Sequence, residues 1–351
     1  MIGLGIESSC DETSLGLVRD GKEILHLALY SQIESHVKYR GVVPEIASRA
    51  HLEKINFLLD ECLTQSGLDF SDLAYVAVSQ RPGLMGSLMI GAQMARCIHL
   101  VHGTPIVCVN HLEAHLSVVR LNIDQLQNSQ KIKTIAPFPH LGLLLSGGNS
   151  SIYIHKDWND LELIGDTLDD ALGEAFDKAA SILGLGYPGG PEIEKFANFY
   201  EQEITSGSKK AEIPILPKLL KSQPDHELHF SFSGLKTALL NAKKDHPSIS
   251  LNRFCFEFQE TSIELVLRNV KNAIKKTGIK TVVAGGGVLA NTRLTSKLKE
   301  FALDNSVEIL FPKNKILSTD NGVMVACLGY YLFTKGIQNE IDFQVSPKRI
   351  A

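Results

Sequence analysis

Long apolar runs are missing: no segment of the 351 residues approaches the roughly 18 uninterrupted apolar residues of a membrane span. The N-terminus reads MIGLGIESS and enters a strand-like run at once. A basic n-region, a long apolar h-region and an Arg-rich presequence are all lacking, so a cytoplasmic protein is expected. Close cysteine pairs are lacking too. Cys10, Cys62, Cys97, Cys108, Cys255 and Cys327 are scattered and form no CxxC. Neither a disulfide framework nor a cysteine metal site follows, and reduced thiols in a reducing compartment fit. Charge of one sign is not in excess, with a net charge of -4. The bulk balance gives no sign of a nucleic-acid partner, although the field that steers a polyanion is regional. The local basic pairs are Lys209/Lys210, Lys218/Lys221, Lys243/Lys244 and Lys275/Lys276, each read first as a solvated face.

What remains is ordinary globular composition, 44% hydrophobic and 21% charged. At roughly 150 residues per domain the length points to two domains. The chain also carries an internal echo. Residues 2–18 read IGLGI-ESSCDETS-LGLV and residues 141–154 read LGLLL-SGGNSS-IYIH. Each is an apolar run, a small polar turn and a second apolar run, hence a hairpin with strands of about five residues. Two such hairpins suggest duplicated lobes, or a coincidence of a common pattern. Beyond each hairpin, strand-like runs at 73–80, 105–110, 281–288 and 307–312 alternate with helical stretches at 84–99, 111–121, 171–184 and 291–303. That alternation predicts α/β layers. The polar, Pro-flanked segment 122–139 is the expected linker. Residues 320–347 read as a helix and tail packing back across the first lobe.

His111-Leu-Glu-Ala-His115 follows a strand and starts a helix. Histidines four apart share one face, so both imidazoles can reach one ion. Asn110 is a good N-cap, and Glu113 stands at capping-box spacing. Zinc proteases need their glutamate one or three residues after the first histidine. Here it is two residues on, about 200° around the helix, which excludes that reading. The other ten histidines show no such pairing and read as surface or core.

The turn Ser8-Ser9-Cys10-Asp11-Glu12-Thr13-Ser14 can hold phosphate on backbone N–H groups and a cation on Asp11, or can be a plain polar turn. In Ser146-Gly147-Gly148-Asn149-Ser150, the glycines let backbone amides approach a phosphate or carbonyl. Ala284 to Asn291 is a glycine-rich strand-to-helix turn with neither the GxGxxG register nor GK[ST]. It can still accommodate a flat base, with Asn291 bonding the nucleotide. Asp170, Glu174 and Asp177 share a helix face that is ordinarily solvated. That helix runs into Gly186-Tyr187-Pro188-Gly189-Gly190-Pro191, where a carboxylate can take ribose hydroxyls, and Glu194 lies just beyond. In Ser318-Thr319-Asp320-Asn321-Gly322, Thr319 or Asp320 is an N-cap, or else supplies an oxygen ligand to an ion.

Taken in order, these motifs resemble the TsaD family, the universal tRNA threonylcarbamoyladenosine synthesis transferases, over essentially the whole chain. The matching stretches are GIESSCDETS (5–14), GVVPEIASRAHLEKI (41–55), PGLMGSLMIGAQMAR (82–96), NHLEAH (110–115), LLLSGGNS (143–150), GEAFDKAASILGLGYPGGPEIEKFA (173–197), FSFSGLKTAL (230–239), GGGVLAN (285–291) and STDNG (318–322). The resemblance implies two duplicated lobes of actin-like ATPase (ribonuclease H-like) type with a nucleotide cleft between them. One lobe would be 1–134 plus 322–351 and the other 135–321.

The resemblance further makes His111, His115 and Asp320 ligands of one divalent metal ion, with Fe(2+) favoured over Zn(2+) or Mg(2+). Leu144, Leu145, Ser146, Gly147 and Gly148 become a substrate loop. Asp177, Gly190, Glu194 and Asn291 become nucleotide contacts, and Asp11 and Glu12 acids of the reactive centre. The implied reaction moves threonylcarbamoyl from threonylcarbamoyl-AMP to N6 of adenosine 37 in tRNAs reading ANN codons. The implied partners are tRNA, a TsaB-like homologous subunit and a TsaE-like small ATPase, with a homodimer as another assembly. The rival classes are a small-molecule kinase on the same scaffold and a non-catalytic scaffold subunit. Two departures stand out: Arg81 replaces a glycine common in the family, and Leu144 a tyrosine of its archaeal branch, implying one protein ligand fewer.

Overall fold

The computed structural model describes residues 1–121, 136–207, 214–217 and 226–349. Most of the expected linker, and Lys209, Lys210, Lys218 and Lys221, lie outside the described residues. The chain forms two compact units: Met1–Phe138 with His155–Glu162 and Leu310–Ala351, and Pro139–Ile154 with Leu163–Ile309.

The first unit opens with β1 (Ile2–Glu7), β2 (Glu12–Arg19) and β3 (Glu23–Ser31), a meander of antiparallel pairs. Then come α1 (Ile33–His36), α2 (Pro44–Ser66), β4 (Leu73–Arg81), α3 (Met85–His102), β5 (Ile106–Asn110) and α4 (His111–Ser117). β4 pairs in parallel with β1 and with β5, giving the order β3-β2-β1-β4-β5. Alternation along β1 sorts its two faces. Leu4 and Ile6 join Ile55, Leu58, Ala92, Ala95 and Ile98 in the core beneath α2 and α3. Gly3 and Gly5 point the other way.

The second unit carries β6 (His140–Leu145), β7 (Ser150–Asp157), β8 (Asp160–Asp166), α5 (Leu172–Leu183), α6 (Gly189–Thr205), α7 (Ser233–Asp245), α8 (Leu251–Thr277), β9 (Thr281–Gly285), α9 (Thr292–Asn305) and β10 (Glu308–Leu310). Its sheet runs β10-β9-β6-β7-β8, with β6 and β9 parallel. Read from the other edge, this is the order of the first sheet with each strand replaced by its later counterpart. The hairpin echo is therefore a repeated topology. The echo's strands are six and eight residues long in both hairpins, longer than the expected five.

The final helix, α10 (Gly322–Thr334), packs on β1, β2, β4, β5 and α4. Being apolar on every side, it fits only inside a core. Gly5 lets it lie close: a Cβ there would come within 2.0 Å of Gly322 O and 2.4 Å of Ala326 N.

Three expected strands are shorter than their apolar runs: β5 by one residue, the three-residue β10, and β9. β9 stops at Gly285 because Gly286 takes φ +100, and a Cβ there would lie 2.4 Å from Leu145 O. The helix expected over 111–121 ends at Ser117 and continues as a tighter turn, Val118–Arg120. Among the described residues, no helix is long and apolar enough to cross a membrane.

Candidate functional site

The carboxyl ends of parallel strands are where open α/β sheets place their ligand chemistry. β1 ends on Glu7 and β5 ends on Asn110, with His111 next. Asn110 Oδ1 accepts from the N–H groups of Leu112 (2.9 Å) and Glu113 (3.4 Å), so it is the N-cap expected. The capping box is not formed. Glu113 is buried, and its Oε1 accepts from Asn159 N at 2.7 Å and from His155 Nε2 at 3.1 Å. Burial takes this carboxylate away from the helix end to the opposite face.

His111 and His115 sit edge to face, ring centroids 4.8 Å apart. Asp320 meets both. Its Oδ1 lies 3.0 Å from His115 Nε2 and 3.6 Å from His111 Nε2. One ligand atom from each of the three residues falls within 4.8 Å of the others. Asp320 arrives there because Asn321, not Thr319 or Asp320, caps α10, accepting from Met324 N at 2.9 Å. Gly322 N donates to Ser14 Oγ at 2.9 Å.

Glu7 stands behind the pair, fully buried. Its carboxylate accepts from Ser9 N at 2.7 Å and from Ser79 Oγ, and lies 3.0 Å from His111 Nδ1. A carboxylate on one imidazole nitrogen fixes the ring and leaves the other to face an ion. The residues therefore fit a divalent cation. Two imidazole nitrogens turn toward one carboxylate oxygen, and the 3.6 Å approach is too long to be a hydrogen bond itself.

The electrostatics agree. Burial opposes the charge on His111, yet Glu7 and Asp320 outweigh it and lift the imidazole to about 9. Burial likewise opposes ionisation of Asp320, but His111 and His115 hold it at about 2. Glu12 is the reverse case: burial, then Asp320 and Asp11, push it up to about 10. Burial and Asp11 also raise the Cys10 thiol. The acidic turn is pinned from below by His51, whose Nδ1 lies 2.7 Å from Thr13 Oγ1 and whose Nε2 lies 3.0 Å from Cys10 O.

In the second unit, Leu144 and Leu145 are the last residues of β6 and their side chains are buried. Only their backbone can serve a substrate, and the turn proper is Ser146–Asn149, closed by Ser146 N to Asn149 O at 2.8 Å. Its carbonyls take the first amides of α5: Ser146 O from Gly173 N and Gly147 O from Glu174 N. A Cβ on Gly147 or Gly148 would meet nothing within 4 Å, so this turn is open.

Of the four expected nucleotide contacts, Asp177, Glu194 and Asn291 each accept a backbone N–H at the start of a helix. Asp177 Oδ1 accepts from Gly189 N at 2.6 Å at the start of α6. Gly190 follows, again with open space at its Cβ position. Glu194 Oε1 accepts from Thr292 N at 2.6 Å at the start of α9. Asn291 caps α9 through Leu294 N at 2.8 Å and donates to Gln259 Oε1 at 2.9 Å. Asn291 is thus engaged at both ends of its amide, and any ligand bond there is shared with the frame.

Asp169 ties the FSFSG segment to the approach to α5. It accepts from Ser231 Oγ, Ser233 Oγ, Phe232 N and Ser233 N. Burial opposes its ionisation, but these bonds prevail and hold the carboxyl below its usual range. A depressed carboxylate contributes stability above its unfolded pKa and loses it as pH falls through the folded one. Asp169→Asn is therefore expected to lower Tm at neutral pH. The gap from wild type should close in acid, as thermal scans across pH would show.

Three features escaped sequence reasoning: Glu7, His51 and the true partner of Glu113. Only Glu7 left a signal, a carboxylate closing an apolar strand run.

Two sheets of one repeated order define a duplicated α/β protein of actin-like fold. Solved structures share that fold. Full-length HypF in its phosphate- and nucleotide-bound form superposes with TM-score 0.59 at 14% identity, over 96% of this chain and 55% of that one. Component A of the Acidaminococcus fermentans (R)-2-hydroxyglutaryl-CoA dehydratase gives 0.52 at 14%, over 94% and 98%. The family model for TsaD, tRNA N6-adenosine threonylcarbamoyltransferase, matches residues 23–327. A tRNA N6-adenosine threonylcarbamoyltransferase of Leptospira interrogans is 56% identical over 349 residues, covering 99% of this chain and 98% of the relative. One from Dictyoglomus turgidum is 39% identical over 351 residues, at 99% and 98% coverage. The chain belongs to the TsaD family and is a transferase acting in tRNA modification.

Proposed function

We propose that this chain transfers the threonylcarbamoyl group from threonylcarbamoyl-AMP to N6 of adenosine 37 in tRNAs reading ANN codons, releasing AMP, in the cytoplasm. The observation that carries the reading is the convergence of His111, His115 and Asp320, with Glu7 behind them, in a member of this family. His111, His115 and Asp320 hold one divalent ion. Mixed nitrogen and oxygen ligation suits Fe(II) or Zn(II) better than Mg(II), and Fe(II) is the ion we favour. When bound, the ion supplies Lewis acidity toward donor oxygens.

The chain's own groups do the rest. Asp177, Gly190, Glu194 and Asn291 bind the adenylate. The backbone of Leu144 and Leu145, with Ser146, positions the donor. Amides of Gly147 and Gly148 stabilise the developing oxyanion, an effect worth about 3 kcal/mol per well-aimed donor. Asp11 or Glu12 takes the N6 proton.

A TsaB-like homologous subunit and a TsaE-like small ATPase are the proposed protein partners, with a homodimer as the other assembly. Exposed Met85 and Met89 on the glycine-rich α3 support a protein contact there. A small-molecule kinase or an inert scaffold is not favoured, because the family match spans both units.

The test is direct. The chain is incubated with threonylcarbamoyl-AMP, tRNA and the partner subunits, and the tRNA nucleosides are analysed by mass. Adenosine carrying threonylcarbamoyl is expected; unmodified adenosine in every combination sinks the reading.

A further inference from the structure

The middle residue of His111-Leu-Glu-Ala-His115 has no part in the chemistry above, yet it is a buried carboxylate. We propose that Glu113, His155 and Asn159 form a positioning clamp that sets the rotation of α4 and so aims both imidazoles at Asp320. This inference rests on the metal reading of the histidine pair.

α4 has seven residues, and every one from His111 to Ser117 is buried. Helices shorter than about 12 residues do not hold themselves in water, so neighbours must fix this one. Apolar neighbours fix depth but tolerate rotation. Directional bonds fix rotation. Glu113 stands about 200° around the helix from His111, on the face away from the ion. There its Oε1 takes the 2.7 Å bond from Asn159 N and the 3.1 Å bond from His155 Nε2. His155 is fully buried on β7. Asn159 takes a left-handed φ of +64 in the turn between β7 and β8, which presents its amide to the carboxylate.

The same turn grips the far end of the segment. Arg120 lies over the Trp158 ring at 4.7 Å, with Tyr331 and Phe138 each at 5.4 Å, and its Nη2 donates to Ala136 O at 2.7 Å. Trp158 in turn stacks on Tyr331 of α10 at 4.4 Å and 13°. α10 is the helix that follows Asp320. His155 and Asn159 hold α4 while Trp158, beside Asn159, holds the helix that follows Asp320, so the clamp fixes the histidines relative to the aspartate. The substrates need touch none of these residues.

The probe is Co(II), added to metal-free protein and followed by its visible bands and by titration. Wild type is expected to bind one equivalent. If it does not, the metal reading fails and this inference with it. His155→Phe keeps a ring between Phe138 and Trp158 but removes the donor. It should bind Co(II) about tenfold more weakly, with shifted bands, since outer partners of metal ligands commonly carry that much affinity. The tRNA KM should stay put while kcat falls. His155→Gln restores a donor at similar reach and should recover most of both. Wild-type affinity and bands in a folded His155→Phe chain overturn the clamp and leave the metal reading intact. If that variant does not fold, Glu113→Leu, which removes the acceptor of both bonds, takes its place, with weakened binding and shifted bands expected and unchanged ones overturning the clamp.

Discussion

His111→Ala is expected to release the metal ion and reduce threonylcarbamoyl transfer to background together. One of three candidate ligands goes, and two remaining donors hold a divalent ion poorly. A second consequence follows from Glu7. Its carboxylate is fully buried and loses the imidazole 3.0 Å away. Breaking one side of a buried ion pair costs about 3–5 kcal/mol, because the partner charge is stranded. The variant should therefore unfold at lower denaturant as well. Adding Glu7→Gln removes the stranded charge. The double variant is expected to regain much of the stability and none of the metal or activity. Metal analysis, urea midpoints and nucleoside mass analysis separate the two effects. Stoichiometric metal with normal tRNA modification in the single variant would falsify the ligand assignment.

Gly5→Val should be the most damaging change to the fold. The 2.0 Å and 2.4 Å approaches to Gly322 O and Ala326 N involve backbone atoms, which cannot swing aside as side-chain ends do. Either β1 or α10 must move. β1 is the central strand, bonded to β2 and β4, and α10 is buried along its first two turns. Overpacking in flexible cores costs about 1–3 kcal/mol, and a backbone clash at this position should exceed 4. Loss of soluble protein, or a midpoint shift of that size, is the expected readout. Gly147→Ala is the control, because its Cβ enters open space, and its urea midpoint should match wild type. Equal stability of Gly5→Val and wild type would mean that α10 does not rest on β1 as described.

The contrast between those glycines shows what the sequence could and could not reveal. Strand alternation, the paired hairpins and the HxxxH spacing are local patterns, and each reads directly from periodicity. The hairpins suggested duplicated lobes, and the repeated sheet order itself came from the structure. Asp320 read from its segment as either a cap or an ion ligand, and only the family resemblance chose the ligand, because 205 residues of chain carry no local sign that it meets His115. Four capping residues stand in a row at Ser318-Thr319-Asp320-Asn321. Chemistry names all of them as candidates, while the wedge of Gly322 against Ser14 chooses Asn321. Glu113 misled for the same reason. Its spacing fitted a local cap, but a buried partner 42 residues on won the carboxylate. Gly286 cut a strand short because of where Leu145 lies, which no window around residue 286 contains.

The packing of α10 on β1 also sets an order of events during synthesis. Tyr75 Oη donates to Ala326 O, across 251 residues of sequence. The first unit begins at residue 1 yet is closed by chain from 310 onward, whereas the second is nearly contiguous from 139 to 309. Chains emerge N-terminus first, and domains fold as units when complete. On the ribosome the second unit can therefore finish before the first, whose central strand waits for its covering helix. Until then the apolar faces of β1 and β4 are the surface a chaperone would meet. The histidine pair is made about 205 residues before its aspartate, so the proposed ligand set is complete only once Asp320 has emerged.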